Sequence, residues 1–407
     1  MKFIEGGVCA AQGFKAAGVH VGVKTHAAWK RDLALIVSDV DCAAAAVFTK
    51  NVVKAAPIHI DRRHLENGRA RAIIANSGNA NACAPNGEEN AVKMCQAAAK
   101  AIGCDPTDVL VSSTGVIGQT LNVKVIEDGM PALYAALASS AEASDAAAHA
   151  IMTTDLVKKE VAVETVIGGK TVRMGGIAKG SGMIHPNMGT MLCFLTTDCD
   201  ISSEMIKAAL LETVKVSFNR ISVDGDTSTN DTCIVLANGM AGNAPITEKG
   251  EDYEAFLAAL NTLTVELARK MASDGEGAKH LITCTVKGAA DEAQAETIGK
   301  SVIGSSLTKA AIFGADANWG RVLCAMGYSG AEFDPDKVDV HFVSAAGDIA
   351  VCEKGRGLPF DEELAKRILT EHDVEIAITM GEGSADCTCW GCDLTYDYVK
   401  INGDYRT

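Results

Sequence analysis

The spacing of apolar and polar positions predicts strands that alternate with helices. Short runs of branched apolar residues predict strands at 32–37, 43–48, 72–75, 108–111 and 191–195. Two strands are predicted within 159–177, joined by a hairpin turn at Gly168 and Gly169. Ala-rich or amphipathic stretches predict helices at 88–102, 130–151, 202–216 and 251–273, and mixed α/β patterning continues from about 280. This order predicts a layered sandwich of sheets and helices, α+β or α/β in class.

Loops and lobes follow from the positions of small and polar residues. A loop is predicted at 76–82 after one strand, and residues 112–115 follow the next strand. The 407 residues exceed a typical single core, so two or three packed lobes are expected. With eight prolines and no Ser/Gly-rich tether, these lobes are expected to pack closely.

The chain is acidic, with 37 Lys and Arg against 52 Asp and Glu and a net charge of −15. Such a surface repels phosphate backbones and anionic lipids, so neither nucleic acid nor membrane is an expected partner. It could attract a cationic small molecule, although solubility alone is the simpler explanation. The first residues lack the features of a signal peptide, and no stretch is long and apolar enough to span a bilayer, so a cytoplasmic location is expected.

The 14 cysteines are expected to be reduced and mostly buried. Cys387, Cys389 and Cys392 fall within six positions and could contribute to a metal site. The chain has no second cysteine or histidine pair at zinc-finger spacing to complete such a site, so no metal is predicted.

The most informative segment is 176–194, GIAKGSGMIHPNMGTMLCF, in which a glycine-rich loop runs into an apolar strand. Thr190 lies at the junction. A threonine hydroxyl needs a base to become a good nucleophile. Cleavage before Thr190 would supply one, because the new α-amine has a pKa of about 7.7–8.0 and adjoins the hydroxyl. Gly189 lacks a Cβ and can adopt the strained conformations that self-cleavage requires.

Other interpretations of these residues remain open on spacing alone. A Gly-Thr pair before a strand is common, and the glycine-rich loop could bind phosphate, although it matches neither GxxxxGK[ST] nor GxGxxG. Asp224 and Asp226 could form a carboxylate pair for acid–base chemistry, but we favour a buried polar network or turn. Thr114, Lys179 and Glu276 could equally be a turn hydroxyl, a surface lysine and a solvated carboxylate.

Segment 176–194 resembles the self-cleavage site of the ornithine acetyltransferase family, the bifunctional glutamate N-acetyltransferases and amino-acid acetyltransferases of arginine biosynthesis. Further segments resemble the same family in order along nearly the whole chain: 76–82, 113–118, 151–155, 217–220, 223–231, 274–278, 318–321 and 390–407. This collinearity is more specific than any single motif.

The resemblance implies roles for particular residues. Thr190 would be the nucleophile, freed by cleavage between Gly189 and Thr190, and Thr114 with Gly115 would form the oxyanion hole. The residues implied in substrate binding are Thr153, Lys179, Thr190, Glu276, Asn402 and Thr407. By charge complementarity, we expect Lys179 to hold a substrate carboxylate and Glu276 the side-chain ammonium of ornithine.

The implied fold is the layered α+β sandwich of the DmpA-type aminopeptidases and ornithine acetyltransferases, which resembles N-terminal-nucleophile hydrolases. Residues 1–189 would form an alpha fragment and residues 190–407 a beta fragment, with a smaller α/β lobe from about 280 to 400. The two fragments would remain associated as one protomer, and two of each would form a heterotetramer.

The implied reaction is ping-pong acetyl transfer from N-acetylornithine to glutamate through an acetyl-threonine intermediate, without a cofactor. Use of acetyl-CoA as another donor stays open. The alternatives are an amidase or aminopeptidase of the same fold, with water as acceptor, and an uncleaved amino-acid-binding protein.

The sequence departs from the usual family pattern at three positions. His185 and Gly189 stand where alanines are usual, and Ala317 stands where a proline is common. His185 could affect the rate or pH dependence of cleavage, whereas Gly189 should not prevent it.

Overall fold

The computed structural model describes residues 1–25, 29–185 and 191–404. Its strands within these ranges are β1 Lys2–Ile4, β2 Phe14–Val19, β3 Leu33–Phe48, β4 Arg69–Asn79, β5 Val109–Val116, β6 Lys159–Ile167, β7 Lys170–Lys179, β8 Leu192–Thr197, β9 Ile221–Ser222, β10 Thr232–Ala237, β11 Leu281–Ala289, β12 Asp339–Ser344, β13 Gly347–Glu353, β14 Arg356–Gly357, β15 Asp373–Thr379 and β16 Ala385–Cys392. Its α-helices are α1 Ala56–His64, α2 Gly87–Ile102, α3 Val123–Ala135, α4 Ala141–Ile151, α5 Ser203–Val216, α6 Glu251–Ser273, α7 Glu292–Gly304, α8 Ser306–Phe313, α9 Trp319–Gly327, α10 Glu362–Thr370 and α11 Tyr396–Asp404. The mixture confirms the predicted α+β class.

The larger sheet has the strand order β1-β6-β7-β8-β10-β3-β4-β5, and β2 also pairs with β3. The long strand β3 belongs to both halves of this sheet. Its first part pairs with β2 and β4, and its last part pairs with β10. The pairing with β4 is irregular between Val37 and Cys42, where the strand changes partners.

The two halves of the larger sheet pack against each other. One apolar cluster contains Ile73 and Leu110 from β4 and β5 together with Phe194 and Ile234 from β8 and β10. These strands are well separated in the strand order, so the cluster lies between two faces of one folded sheet. Helices α2 and α3 cover the outer face of the first half, and α5 and α6 cover that of the second. The layers therefore run helix, sheet, sheet, helix, as a layered sandwich requires.

Alternation along β3 explains this layering. Ala34 and Ile36 contribute to the core between the sheets, whereas Leu35 and Val37 contact the cluster under α2 and α3. Because successive side chains in a strand point to opposite faces, both faces of β3 must be apolar when both are covered.

The smaller sheet has the order β14-β13-β12-β15-β11-β16-β9 and is covered by α7, α9 and α10. All but one of its strands come from the region after residue 280. The exception is β9, whose two residues pair with Trp390 and Gly391 of β16. The short strand β9 therefore joins the smaller sheet to the segment that precedes β10.

Most predicted elements are present, but three boundaries were wrong. The strands predicted at 32–37 and 43–48 are one strand, because the polar residues Asp39 and Asp41 lie at its irregular, exposed centre. The loop predicted at 76–82 begins later, since β4 continues to Asn79. The helical region predicted at 130–151 is two helices, and Ser140 caps the second by accepting a hydrogen bond from Ala143. The division between residues 189 and 190 stays a prediction.

Candidate active site

A small pocket lies where the two halves of the larger sheet meet. Asn230, just before β10, bridges them: its Nδ2 donates to the carbonyl oxygens of Ala80 at 2.7 Å and Ser113 at 2.8 Å. The pocket has a volume of about 140 Å³. Six predicted site residues line it: Thr114, Gly115, Thr153, Lys179, Glu276 and Asn402. Gly189, Thr190 and Thr407 lie outside the described residues.

Lys179 ends β7 and reaches two predicted site residues. Its Nζ donates to Thr153 Oγ1 at 2.8 Å and to Thr114 Oγ1 at 3.4 Å. The side chain is almost fully buried, which lowers the pKa of Lys179 from its usual value, while the carboxylate of Asp155 opposes that change. Lys179 is therefore a buried lysine at the wall of the pocket, beside the Asp155 carboxylate, and the interpretation of it as a surface lysine is wrong.

A buried carboxylate, Asp155, supports this lysine. It accepts hydrogen bonds from Lys159 Nζ at 2.6 Å, Gly180 N at 2.8 Å and Thr153 N at 3.0 Å, and it lies 3.9 Å from Lys179 Nζ. Burial alone would raise the pKa of Asp155, but the charges of Lys159 and Lys179 outweigh burial and hold that pKa well below its usual range. Lys159 also pairs with Asp274, so two cations and two anions balance each other inside the protein.

Thr114 and Gly115 occupy an irregular end of β5. The parallel pairing of β5 with β4 is disturbed at Gly78 and Asn79. Gly115 has φ +131°, and a Cβ there would lie 2.3 Å from the backbone carbon of Gly78. Only glycine fits this conformation and this contact. A close backbone approach of this kind is suited to presenting an N–H group to a ligand.

Glu276 provides the negative side of the pocket. It is 8% exposed, and its Oε2 accepts a hydrogen bond from Asn402 Nδ2 at 2.7 Å. A Cβ at Gly182 would lie 2.4 Å from the Glu276 carboxylate, so the glycine leaves room for that group. Glu276 is therefore buried against helix α11, and its interpretation as a solvated loop carboxylate is wrong.

The segment that leads into the predicted cleavage site is held by Asp224. Its two carboxylate oxygens accept from Met183 N at 2.6 Å and Ile184 N at 2.9 Å. Met183 has φ +55°, which is uncommon for a residue with a side chain. The hydrogen-bonded turn predicted at Asp224 is thus present, but it is not buried: Asp224 is half-buried, and Asp226 is exposed with its N–H donating to Asp224.

His185 follows this held segment. Its Nδ1 is 3.0 Å from Ser222 Oγ, and its carbonyl oxygen accepts from Thr227 Oγ1 at 2.8 Å. Burial, together with the nearby charge of Lys300, lowers the pKa of His185 to about 4, although Asp224 opposes the change. The imidazole is therefore neutral at neutral pH. The effect of His185 on cleavage stays a prediction.

Three residues of the site were not singled out from the sequence: Asp155, Asn230 and Asp231. Asp231 lines the pocket and is 1% exposed. Burial raises its pKa well above the usual value, although the hydroxyls of Thr49 and Ser228 act in the opposite direction. Asp155 and Asp231 lie in the segments 151–155 and 223–231 that carried the family resemblance, which was the available signal for both.

The three clustered cysteines divide between two cores. Cys387 and Cys389 lie in the core of the smaller sheet with their sulfur atoms 3.9 Å apart, whereas Cys392 lies in the core under α5 and α6. Within the described ranges, no group of three or more His, Cys, Asp or Glu side chains is arranged to hold a metal ion. Among the described helices, none has the length and apolar character needed to cross a membrane.

Comparisons with known proteins point to one family. Residues 15–407 match the ArgJ family. The arginine biosynthesis bifunctional protein ArgJ of Symbiobacterium thermophilum is 50% identical over 408 residues, covering 100% of each chain. A crystal structure of arginine biosynthesis bifunctional protein ArgJ from Bacillus halodurans is 43% identical, covering 52% of this chain and 97% of that chain with a TM-score of 0.49. A structure of ornithine acetyltransferase complexed with ornithine from Mycobacterium tuberculosis is 39% identical, and the match covers 46% of this chain and 98% of that chain with a TM-score of 0.42.

Proposed function

We propose that this chain, which belongs to the ArgJ family, moves an acetyl group from N-acetylornithine to glutamate. The match over residues 15–407 and the 50% identity over the whole chain confirm the family predicted from the sequence. They also confirm the prediction that the chain is an acyltransferase enzyme. The substrates, the self-cleavage and the order of the chemical steps are our proposals.

The observation that carries the proposal is the pair of opposite charges in the pocket. Lys179 is a buried cation, and Glu276, whose charge acts on Lys179, is a nearly buried anion of the same small pocket. N-acetylornithine carries an α-carboxylate and a side-chain ammonium, with the acetyl group on its α-nitrogen. A carboxylate held by Lys179 and an ammonium held by Glu276 would fix the acetyl group between them.

The acetyl group then needs a nucleophile and an oxyanion site. Thr190 is bonded to Met191, which lines the pocket, and Met191 O accepts a hydrogen bond from Thr232 N at 2.8 Å. We propose that the Thr190 hydroxyl attacks the acetyl carbonyl while its α-amine takes the hydroxyl proton. Thr114 and Gly115 would stabilise the negative oxygen that develops.

The second half of the reaction reverses the first. The proton held by the α-amine passes to the departing α-nitrogen of ornithine, and an acetyl-threonine ester remains. Glutamate then binds through its α-carboxylate, loses a proton from its amino group to the same α-amine, and attacks the ester. N-acetylglutamate leaves and the threonine hydroxyl is restored. No metal or redox cofactor is needed for this balance, and use of acetyl-CoA stays an open alternative for the first half.

The first test is the intact mass and denaturing-gel pattern of wild type beside Thr190→Ala. Cleavage before Thr190 divides the chain into 189 and 218 residues. The 42.3 kDa chain should therefore give fragments of about 20 and 23 kDa in the wild type, as the N-terminal-threonine mechanism requires, and stay whole in the variant. An intact wild type after long incubation would favour the alternative of an uncleaved amino-acid-binding protein.

The second test assays labelled N-acetylornithine with and without glutamate. Label recovered in N-acetylglutamate supports the transferase. Free acetate produced at the same rate without glutamate would instead identify an amidase with water as acceptor. Analytical ultracentrifugation of the cleaved protein would test the proposed heterotetramer.

A further inference from the structure

Lys24 lies beside the candidate active site without lining the pocket. Its Nζ donates to the carbonyl oxygens of Met152 at 2.7 Å and Arg31 at 2.9 Å. Met152 follows α4 directly, and Ser77 Oγ binds the carbonyl oxygen of Ala150 at the same helix end. The lysine thus satisfies a carbonyl group just beyond a helix C-terminus, where a cation is electrostatically favourable.

The bond to Met152 has a direct consequence for Thr153. The carbonyl of Met152 and the N–H of Thr153 belong to one planar peptide group. Lys24 holds the carbonyl side, and Asp155 Oδ2 accepts from the N–H side at 3.0 Å. Because this peptide is held from both sides, the backbone position of Thr153 is fixed. The Thr153 hydroxyl, which accepts a hydrogen bond from Lys179 Nζ, is thereby held in place.

The backbone around Lys24 is itself fixed by a buried carboxylate. Asp32 accepts from the N–H groups of Val21 at 2.7 Å, Gly22 at 3.1 Å and Lys24 at 3.0 Å, and it is fully buried. Three backbone N–H groups on one carboxylate define the path of the turn before β3. The position of Lys24 is therefore set independently of the groups that its ammonium contacts.

The aliphatic part of Lys24 packs on the other wall of the site. A Cβ at Gly78 would lie 2.8 Å from Lys24 Cγ, and a Cβ at Gly115 would lie 2.3 Å from Gly78 C. Gly78 thus lies closely packed between Lys24 on one side and Gly115 on the other. The Lys24 side chain therefore lies against Gly78, the neighbour of the predicted oxyanion residue Gly115, and also binds the peptide that precedes Thr153.

We propose that Lys24 is a positioning residue of the acetyl transfer, which fixes the Met152–Thr153 peptide and so the Thr153 contact with Lys179. The proposal rests on the proposed function, since the cation that Thr153 orients is the one assigned to the substrate carboxylate. It assigns Lys24 no contact with substrate. It predicts weaker capture of both amino-acid substrates when the ammonium is removed.

The charges around Lys24 make its role depend on pH. Burial lowers the pKa of Lys24 to about 8. The carboxylate charges of Asp32 and Asp155 act to raise this pKa, and the charges of Lys30 and Lys179 act to lower it further. Among the described residues of this turn, Lys30, Arg31 and His20, which contacts Asp32, are further titratable or charged side chains. The ammonium is present below about pH 8 and is lost above it. The Thr190 α-amine changes in the opposite sense, because it acts as a base only after losing its proton.

The test compares Lys24→Met and Lys24→Arg with wild type, using Lys15→Met on the exposed part of β2 as the matched control. Lys24→Met should lower kcat/KM for N-acetylornithine and for glutamate by about 10- to 100-fold, as for loss of a charged hydrogen bond. Lys24→Arg keeps the charge and should restore most of the activity. Full activity of Lys24→Met with both substrates at pH 7 would overturn the proposal, and the wild-type to Lys24→Arg ratio of kcat/KM should fall as pH rises through about 8.

A crystal structure of Lys24→Met tests the same proposal without any assay. The Thr153 hydroxyl should move out of hydrogen-bond distance from Lys179 Nζ, and an unchanged contact would overturn the positioning role. This measurement also separates the two proposals. Absence of acetyl transfer in the wild type would reject the proposed function, whereas the position of Thr153 in the variant decides the role of Lys24.

Discussion

The cationic and anionic sides of the pocket are built differently. Lys179 is held by two hydroxyl groups and a buried carboxylate that is itself paired with Lys159. Among the described residues, Glu276 has one side-chain hydrogen bond, from Asn402 on helix α11, and Gly182 leaves space for its carboxylate. In the part of the chain that the structure describes, the cationic side is therefore fixed by a network of strand and loop residues, and the anionic side by one hydrogen bond between loop and helix.

This difference corresponds to what the two proposed substrates share. Both N-acetylornithine and glutamate have an α-carboxylate, so the side that binds it can be rigid without cost to either. Only ornithine has a side-chain ammonium, so the side that binds it must also tolerate glutamate. Substitutions on the cationic side should therefore affect both substrates, and substitutions on the anionic side should discriminate between them.

The largest effect is expected from Lys179→Met. Loss of a buried charged hydrogen-bonding group should lower kcat/KM by about 100-fold for both substrates, since such bonds contribute about 1.5–3 kcal/mol. The unfolding midpoint should also fall, because Asp155 loses one of the two lysines that pair with it among the described residues. Lys170→Met, at the exposed start of β7, is the control. Unchanged kinetics with either substrate would contradict a shared carboxylate site.

A smaller and selective effect is expected from Glu276→Gln. The amide is nearly the same shape and can still accept the hydrogen bond from Asn402, so mainly the charge is lost. The kcat/KM for N-acetylornithine should fall about 30-fold, in the range for a charged hydrogen bond, while that for glutamate changes little. Asn402→Ala should act in the same direction but more weakly. Equal losses for the two substrates would refute the assignment of Glu276 to the ammonium.

Gly182→Ala should alter the anionic side of the pocket by moving the Glu276 carboxylate without removing its charge. The new Cβ would be within 2.6 Å of the Glu276 carboxylate atoms, which can move because they end a flexible side chain. We expect kcat/KM for N-acetylornithine to fall about 5-fold, which corresponds to about 1 kcal/mol. The free energy of unfolding should change little. Gly304→Ala, where the added Cβ meets nothing within 4 Å, is the matched control. A full loss of folding would show that residue 182 supports the backbone instead.

The smallest effect is expected from His185→Gln on the pH dependence of cleavage. With its pKa lowered to about 4, His185 is already neutral across pH 6–8, so it cannot produce a change of cleavage rate in that range. The variant should therefore show a pH profile of the same shape, measured as fragment appearance on denaturing gels. If the wild-type cleavage rate changed between pH 6 and 7 and the rate of the variant did not, His185 would titrate in that range.

The elements of this fold were largely predictable because their patterning is local. The hairpin of β6 and β7 and the helices α5 and α6 follow from the turn at Gly168 and Gly169 and from apolar spacing. Strand β3 was divided in the prediction because its centre is polar. That β3 continues through Asp39 and Asp41 is shown only by its pairing, with β4 mainly along its first part and with β10 along its last part.

The sequence by itself determined the family, the α+β class and which residues we propose for the site, because collinear motifs and local patterning are properties of the chain. The tertiary structure alone decided how these residues act together. Lys179 and Asp155 are 24 positions apart, and Glu276 and Asn402 are 126 apart, so neither contact follows from spacing. Burial, which shifts the pKa values of Lys24, Lys179 and Asp231, exists only after the sheet has folded onto itself.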